Sequence, residues 1–129
     1  MPFIEFDKMP KMELFEGVLS RLATGERIML SSLDMEQGAI VPEHSHPHEQ
    51  AGLVLKGRFN FRIGDEEREV GPGEAFIIPG HVVHAGVVTQ GPAQILDIFT
   101  PVREDYAERY NNFATTSDKT VWEESKGED

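Results

Sequence analysis

All five histidines fall in two short segments, Glu43-His44-Ser45-His46-Pro47-His48-Glu49-Gln50 and Pro79-Gly80-His81-Val82-Val83-His84. On a helix His44 and His46 would point to nearly opposite sides. On a strand alternate residues share a face at a separation of about 6.6 Å, close enough for two imidazoles to converge on one ion. Pro42 and Pro47 disfavour a helix here. A lone histidine of this kind reads as a surface polar residue in a turn. An HxH pair joined by a further histidine from a later strand reads as a site for one divalent metal ion, with metal to nitrogen distances of about 2.0 to 2.1 Å. The chain has no cysteine, so the ligands must be nitrogen and oxygen, which allows Zn, Ni, Fe, Mn or Co.

The elements that must position these side chains are short. Glycine and proline punctuate runs rich in Val, Ile, Leu and Phe, a rhythm of many short strands closing into a sandwich or barrel. Predicted strands cover residues 27–35, 39–41, 52–56, 58–63, 68–70, 75–78, 82–88 and 94–99. Phe59, Phe61 and Ile63 alternate with Arg58, Asn60 and Arg62, as a strand with one buried face requires. Turns are expected at residues 63–66, at Gly71-Pro72-Gly73 and at Gln90-Gly91-Pro92. After Phe99, Thr100 suits a helix cap and Pro101 the first helical position, and Val102, Tyr106, Tyr110 and Phe113 recur at near-helical spacing. A helix over residues 101–111 is predicted. Residues 1–113 read as one all-β barrel with N-terminal strands and this C-terminal helix. Residues 114–129 read as an acidic tail, expected to be mobile, with Trp122 as a possible anchor.

At 129 residues there is room for one domain. A formal net charge of −11 repels phosphate backbones and anionic lipid, so neither nucleic acid nor membrane is an expected partner. A small anionic molecule stays open, because a buried metal and an arginine can reverse the potential locally. The first ten residues carry charges and prolines in place of an apolar leader, and a cytoplasmic location is expected.

These motifs resemble the cupins. The first cupin motif runs from Gly38 to Gly57 as GAIVPEHSHPHEQAGLVLKG, matching in spacing with Gln50 in place of the usual Glu. The second runs from Gly73 to Val88 as GEAFIIPGHVVHAGVV, where His84 takes the ligand position, His81 replaces an inner glycine and Val88 the terminal asparagine. With the later LDIFTPVRED, the chain is similar to the small pectin-degradation cupins of the KdgF type, which linearise unsaturated uronates. The resemblance implies a double-stranded β-helix, or jelly-roll barrel. It also implies His44, His46, Gln50 and His84 as metal ligands, Asp97, Phe99 and Arg103 at catalytic and substrate-binding positions, and a homodimer.

The residues add to this. Three imidazoles and an amide leave the double charge of an ion uncompensated, which suits a Lewis acid. Parity puts Ile95, Asp97 and Phe99 on one strand face and Leu96 and Ile98 on the other, so Asp97 sits among apolar neighbours and needs compensation. A substrate, an arginine or a raised pKa would serve, as would a structural salt bridge to Arg58 or Arg62. Arg103 in the first turn of the helix opposes the dipole, and its fork could grip a uronate carboxylate or pair with neighbouring acids in solvent. On its own merits Phe99 is core, His81 is a turn residue, and His48 could support Gln50 or a ligand. The expected reaction is conversion of a 4,5-unsaturated uronate into the linear 5-keto-4-deoxyuronate. The alternatives are a non-catalytic sugar-acid sensor and an iron-dependent dioxygenase.

Overall fold

Two long strands carry the architecture of the computed structural model, which describes residues 3–117. In chain order the strands are β1 (Met12–Phe15), β2 (Val18–Thr24), β3 (Met29–Met35), β4 (Ile40–His44), β5 (Glu49–Ile63), β6 (Glu66–Val70), β7 (Ala75–Ile78) and β8 (His84–Thr100). The helix α1 (Glu104–Asn112) follows, after which Phe113–Ser117 form a π-helical turn. A 3-10 turn, Phe6–Lys8, precedes β1.

β5 and β8 pair antiparallel along their length, and each changes its other neighbour partway. The first part of β5 takes β7 on its free edge and the last part takes β6. Likewise β8 takes β4 near its start and β3 near its end. Two sheet halves result, β1-β2-β3-β8-β5-β7 and β4-β8-β5-β6, folded over a core that includes Val18, Met29, Val54, Phe59, Ile78, Val88 and Ile95. This is the all-β jelly-roll arrangement that the strand rhythm and the cupin resemblance imply.

The predicted breaks inside β5 and β8 are bends, not ends. Residues 52–56 and 58–63 belong to one strand that bulges at Gly57, where φ is +77° and a β-carbon would lie 2.6 Å from the Gln90 carbonyl oxygen and 2.7 Å from that of Pro92. Opposite, the expected turn at Gln90-Gly91-Pro92 lies within β8, where the ladder register shifts and proline needs no hydrogen-bond partner for its nitrogen. The turns at residues 63–66 and 71–73 form as expected.

The helix begins later than predicted. Thr100 still pairs with Glu49 in the sheet, so it does not cap, and Arg103 occupies the N-cap without a side-chain cap bond. At the other end, residues 114–117 continue the helical path where a tail was expected. Trp122 and the rest of the acidic tail lie outside the described residues. Tyr110 donates a 2.7 Å hydrogen bond to the Pro10 carbonyl, and Arg109 donates to that of Glu13 at 2.9 Å, which straps α1 to the N-terminal strands. Among the described residues no helix is long and apolar enough to cross a membrane.

Candidate metal centre

His44 closes β4 and His84 opens β8, and the two are register partners across that ladder. His46 follows in the β4–β5 connection, and Gln50 stands near the start of β5 between Ile78 of β7 and Phe99 of β8. Extended backbone at residues 40–44 sets His44 on the inner face, and the connection returns His46 beside it. One ligand atom from each of His44, His46 and His84 lies within 4.8 Å of the others, and both His46 and His84 are buried.

Backbone carbonyls set the tautomer of all three rings. His44 Nδ1 donates to the Pro42 carbonyl at 2.7 Å, His46 Nδ1 to that of His48 at 3.0 Å, and His84 Nδ1 to that of Val82 at 2.9 Å. A carbonyl oxygen only accepts, so Nδ1 carries the proton in each ring, and in a neutral imidazole Nε2 is then a bare lone pair. Burial favours the neutral form of His46 and His84. It is the main cause that lowers His46 below its ordinary value, aided by the charge of Arg103, and the main cause that takes His84 down to about 4.

Two observations show that these residues fit a cation. His84 Nε2 is buried without a hydrogen-bond partner, a cost that a bound ion would remove. His46 Nε2 stands 3.1 Å from Gln50 Oε1, and both atoms are acceptors once Nδ1 holds the ring proton. Lone pairs set this close are compatible with a positive charge shared between them. His44, His46 and His84 with Gln50 would hold one divalent ion.

Six of the seven residues singled out in the sequence, His44, Gln50, His84, Asp97, Phe99 and Arg103, line one narrow pocket. The ring of His46 lies behind it, edge-on to Phe99 at 5.7 Å. Asp97 is 7% exposed and its Oδ1 has no hydrogen-bond partner. Burial pushes its carboxyl up to about 7, against smaller opposing effects of the Gln50 amide and the Arg103 charge. No salt bridge to Arg58 or Arg62 compensates it: Arg58 pairs with Glu69 and Arg62 with Glu43. Their side chains point to the opposite face of β5 from Phe59 and Phe61, as period-2 alternation requires.

Of the two arrangements open for Arg103, gripping a ligand or pairing with acids in solvent, the structure shows the pairing but not the solvent. The residue is 7% exposed, sits at the N-cap, and is held by Asp105. His48 contributes its carbonyl to His46, not a ligand atom. His81 occupies a left-handed turn position, φ 69°, outside the group.

Two residues that shape the site escaped the sequence reading. Tyr106 shows there only as one position of a helical stripe, yet it lines the pocket with its ring 3.6 Å from the Arg103 guanidinium carbon. Gly52 is the register partner of Asp97, and a β-carbon on it would run into the Phe76 ring and lie 2.8 Å from Asp97 Oδ1. The bare backbone there makes room for the carboxyl. A glycine inside a β-branched and apolar run was the available signal.

The cupin domain family matches residues 31–99 of the chain. No curated protein sequence matches it. Among solved structures, KdgF from Halomonas sp. is 27% identical with a TM-score of 0.78, over 82% of this chain and 98% of that one. An RmlC-like cupin from Shewanella frigidimarina is 24% identical with a TM-score of 0.77, over 82% and 96%. An oxalate decarboxylase of Bacillus subtilis is 21% identical with a TM-score of 0.70, over 79% of this chain and 30% of that one. The last two likenesses speak to the fold alone.

Proposed function

Because the chain belongs to the cupin domain family, we propose that it is a metal-dependent enzyme that converts a 4,5-unsaturated uronate into the linear 5-keto-4-deoxyuronate. The observation that carries this reading is the placement of Asp97. A buried carboxyl with an unpartnered oxygen lies in the same pocket as His44, His84, whose Nε2 is also unpartnered, and a buried arginine, with His46 beside them. A structural carboxylate would have an ion-pair partner, whereas Arg58 and Arg62 are engaged by Glu69 and Glu43, and Arg103, whose charge does reach Asp97, is paired with Asp105.

The reaction is an isomerisation that is neutral in protons. The hydroxyl on C1 loses its proton, the bond from C1 to the ring oxygen breaks, and C4 gains a proton as C5 becomes a ketone. A single carboxyl that gives one proton and recovers one is sufficient, and we assign that role to Asp97. Arg103 supplies the positive charge that an acidic sugar needs in a chain of net charge −11. Phe99 and Tyr106 wall the site against water. A divalent ion on His44, His46, Gln50 and His84 would act as a Lewis acid toward substrate oxygens. The likeness to KdgF from Halomonas sp. supports this choice among cupin activities.

The test is incubation of metal-loaded protein with unsaturated galacturonate while the alkene absorbance is followed. Loss of absorbance above the spontaneous rate is expected. Saturable binding without turnover returns the protein to the class of sugar-acid sensors, and oxygen uptake with Fe(II) to that of oxygenases.

A further inference from the structure

Arg103 is gripped on two sides by its own helix. Asp105 accepts hydrogen bonds from Nη2 at 2.9 Å and Nε at 3.4 Å, which occupies one edge of the guanidinium. The Tyr106 ring covers the guanidinium plane at 3.6 Å, and Phe99 flanks it at 5.3 Å. Neither Asp105 bond uses Nη1, the guanidinium nitrogen at the other end.

This arrangement is costly as a purely structural one. The side chain of Arg103 is 9% exposed while that of Asp105 is 60% exposed, so the cation gives up more hydration than its partner does. Its place at the N-cap sets it against the helix dipole. A surface ion pair requires neither burial nor an aromatic face. A guanidinium desolvated, stacked and fixed along one edge is instead prepared for an anion at its other end, because the ordering is complete before the anion arrives.

We propose that Asp105 and Tyr106 are positioning residues: together they fix Arg103 so that its Nη1 end meets the carboxylate of a sugar acid, and so they make the pocket select the acid over the neutral sugar. This rests on the sugar-acid reading of the pocket. It goes beyond that reading in assigning selectivity to two residues that bear on the ligand only through Arg103.

The test uses the metal-loaded full chain and two sugars that cannot undergo the reaction, galacturonate and neutral galactose, titrated by calorimetry. Tyr106→Leu is expected to weaken galacturonate binding about tenfold, and Asp105→Ala about fivefold. Tyr106→Phe, which keeps the ring face, should stay within about twofold of wild type. Galactose binding should not move in any variant. Because Asp105→Ala leaves a buried guanidinium without its anion, the titrations are run below the thermal midpoint of each variant, and Asp105→Asn, which keeps an oxygen acceptor for the guanidinium, is expected to fall between Asp105→Ala and wild type. With unsaturated galacturonate, Asp105→Ala should raise KM by the same factor as it weakens galacturonate binding and leave kcat within about threefold.

If Asp105→Ala binds galacturonate as tightly as wild type or more tightly, Asp105 is merely a competing anion and the proposal falls. A Tyr106→Phe variant as weak as Tyr106→Leu also overturns it, since the hydroxyl and not the stack would then matter. Acid-selective binding with these sensitivities but no turnover leaves the clamp standing and removes the enzymatic reading. Failure of the wild type to bind galacturonate overturns the clamp, whatever the turnover.

Discussion

His44 and His84 face each other as register partners, one ending β4 and the other opening β8, with ring centroids 4.2 Å apart. An ion bound between them, together with His46 from the β4–β5 connection, ties together segments that are far apart in sequence. The folded state alone presents this set, so binding adds to stability by mass action. At a free metal concentration a thousandfold above Kd the gain is about 4 kcal/mol. Chelation should lower the thermal midpoint by several degrees, and metal should restore it. In His46→Ala, elemental analysis of protein purified without a His-tag should find the metal largely gone. Equal metal content in the two proteins would refute the assignment.

Gln50 gives the centre a neutral fourth group, with its Oε1 3.1 Å from His46 Nε2. Replacing it with Glu adds a negative charge beside the ion in a buried setting. Gln50→Glu should hold metal at least about tenfold more tightly in a chelator competition. It should also turn over unsaturated uronate more slowly, because the ion is less electrophilic and a second carboxyl crowds Asp97. Weaker metal retention in the variant would count against Gln50 as a ligand.

Asp97 and His84 make the metal-free protein respond to pH in opposite directions. The His84 imidazole falls from 6.5 to about 4 on folding, so its contribution to stability is present above pH 6.5 and is lost as pH drops toward 4. The Asp97 carboxyl rises from 3.8 to about 7, so its contribution is present below pH 3.8 and is lost as pH climbs through 7. Between pH 4 and 6.5 the two largely offset each other. Asp97→Asn deletes the falling part, and its stability relative to wild type should climb by up to about 1.4 kcal/mol per pH unit across this window. Urea unfolding of both metal-free proteins from pH 4.5 to 7.5 measures the difference, and parallel curves would show that Asp97 is not raised.

The same substitution removes the group assigned to proton transfer. With metal bound, Asp97→Asn should lower kcat on unsaturated galacturonate by about 10² to 10⁴, with metal content unchanged. A loss below tenfold would place the proton transfer elsewhere.

Gly57 carries the bend on which both sheet halves depend. Its φ of +77° and the carbonyl oxygens of Gln90 and Pro92 leave no room for a side chain. Gly57→Ala should cost about 3 kcal/mol in urea unfolding, combining backbone strain with displacement of β8. A cost below 1 kcal/mol would mean that the β5–β8 pairing yields easily at that point.

Local pattern was enough for part of this protein. The strand rhythm gave an all-β barrel, because alternation at period 2 records which side of each strand meets the core, as Phe59 and Phe61 do. The HxH spacing and a later His84 were legible as a metal set from residue type and proximity, but not for the reason expected: β4 ends at His44, and the turn of the connection, not strand alternation, brings His46 beside it. The apolar neighbours of Asp97 on both parities marked it as a carboxyl needing compensation.

Other features arise only when distant segments meet. Breaks expected at Gly57 and at Gln90-Gly91-Pro92 became bends inside continuous strands, since each is spanned by hydrogen bonds to the other strand. Thr100 could not cap the helix once its backbone paired with Glu49. The engagement of Arg58 and Arg62 by Glu69 and Glu43, the carbonyls that set the histidine tautomers, and the ring of Tyr106 against Arg103 are all contacts in space. The identities of the candidate ligands follow from residue type and spacing along one chain. Their protonation, their convergence and the isolation of Asp97 follow from desolvation and packing, which exist only in the folded state.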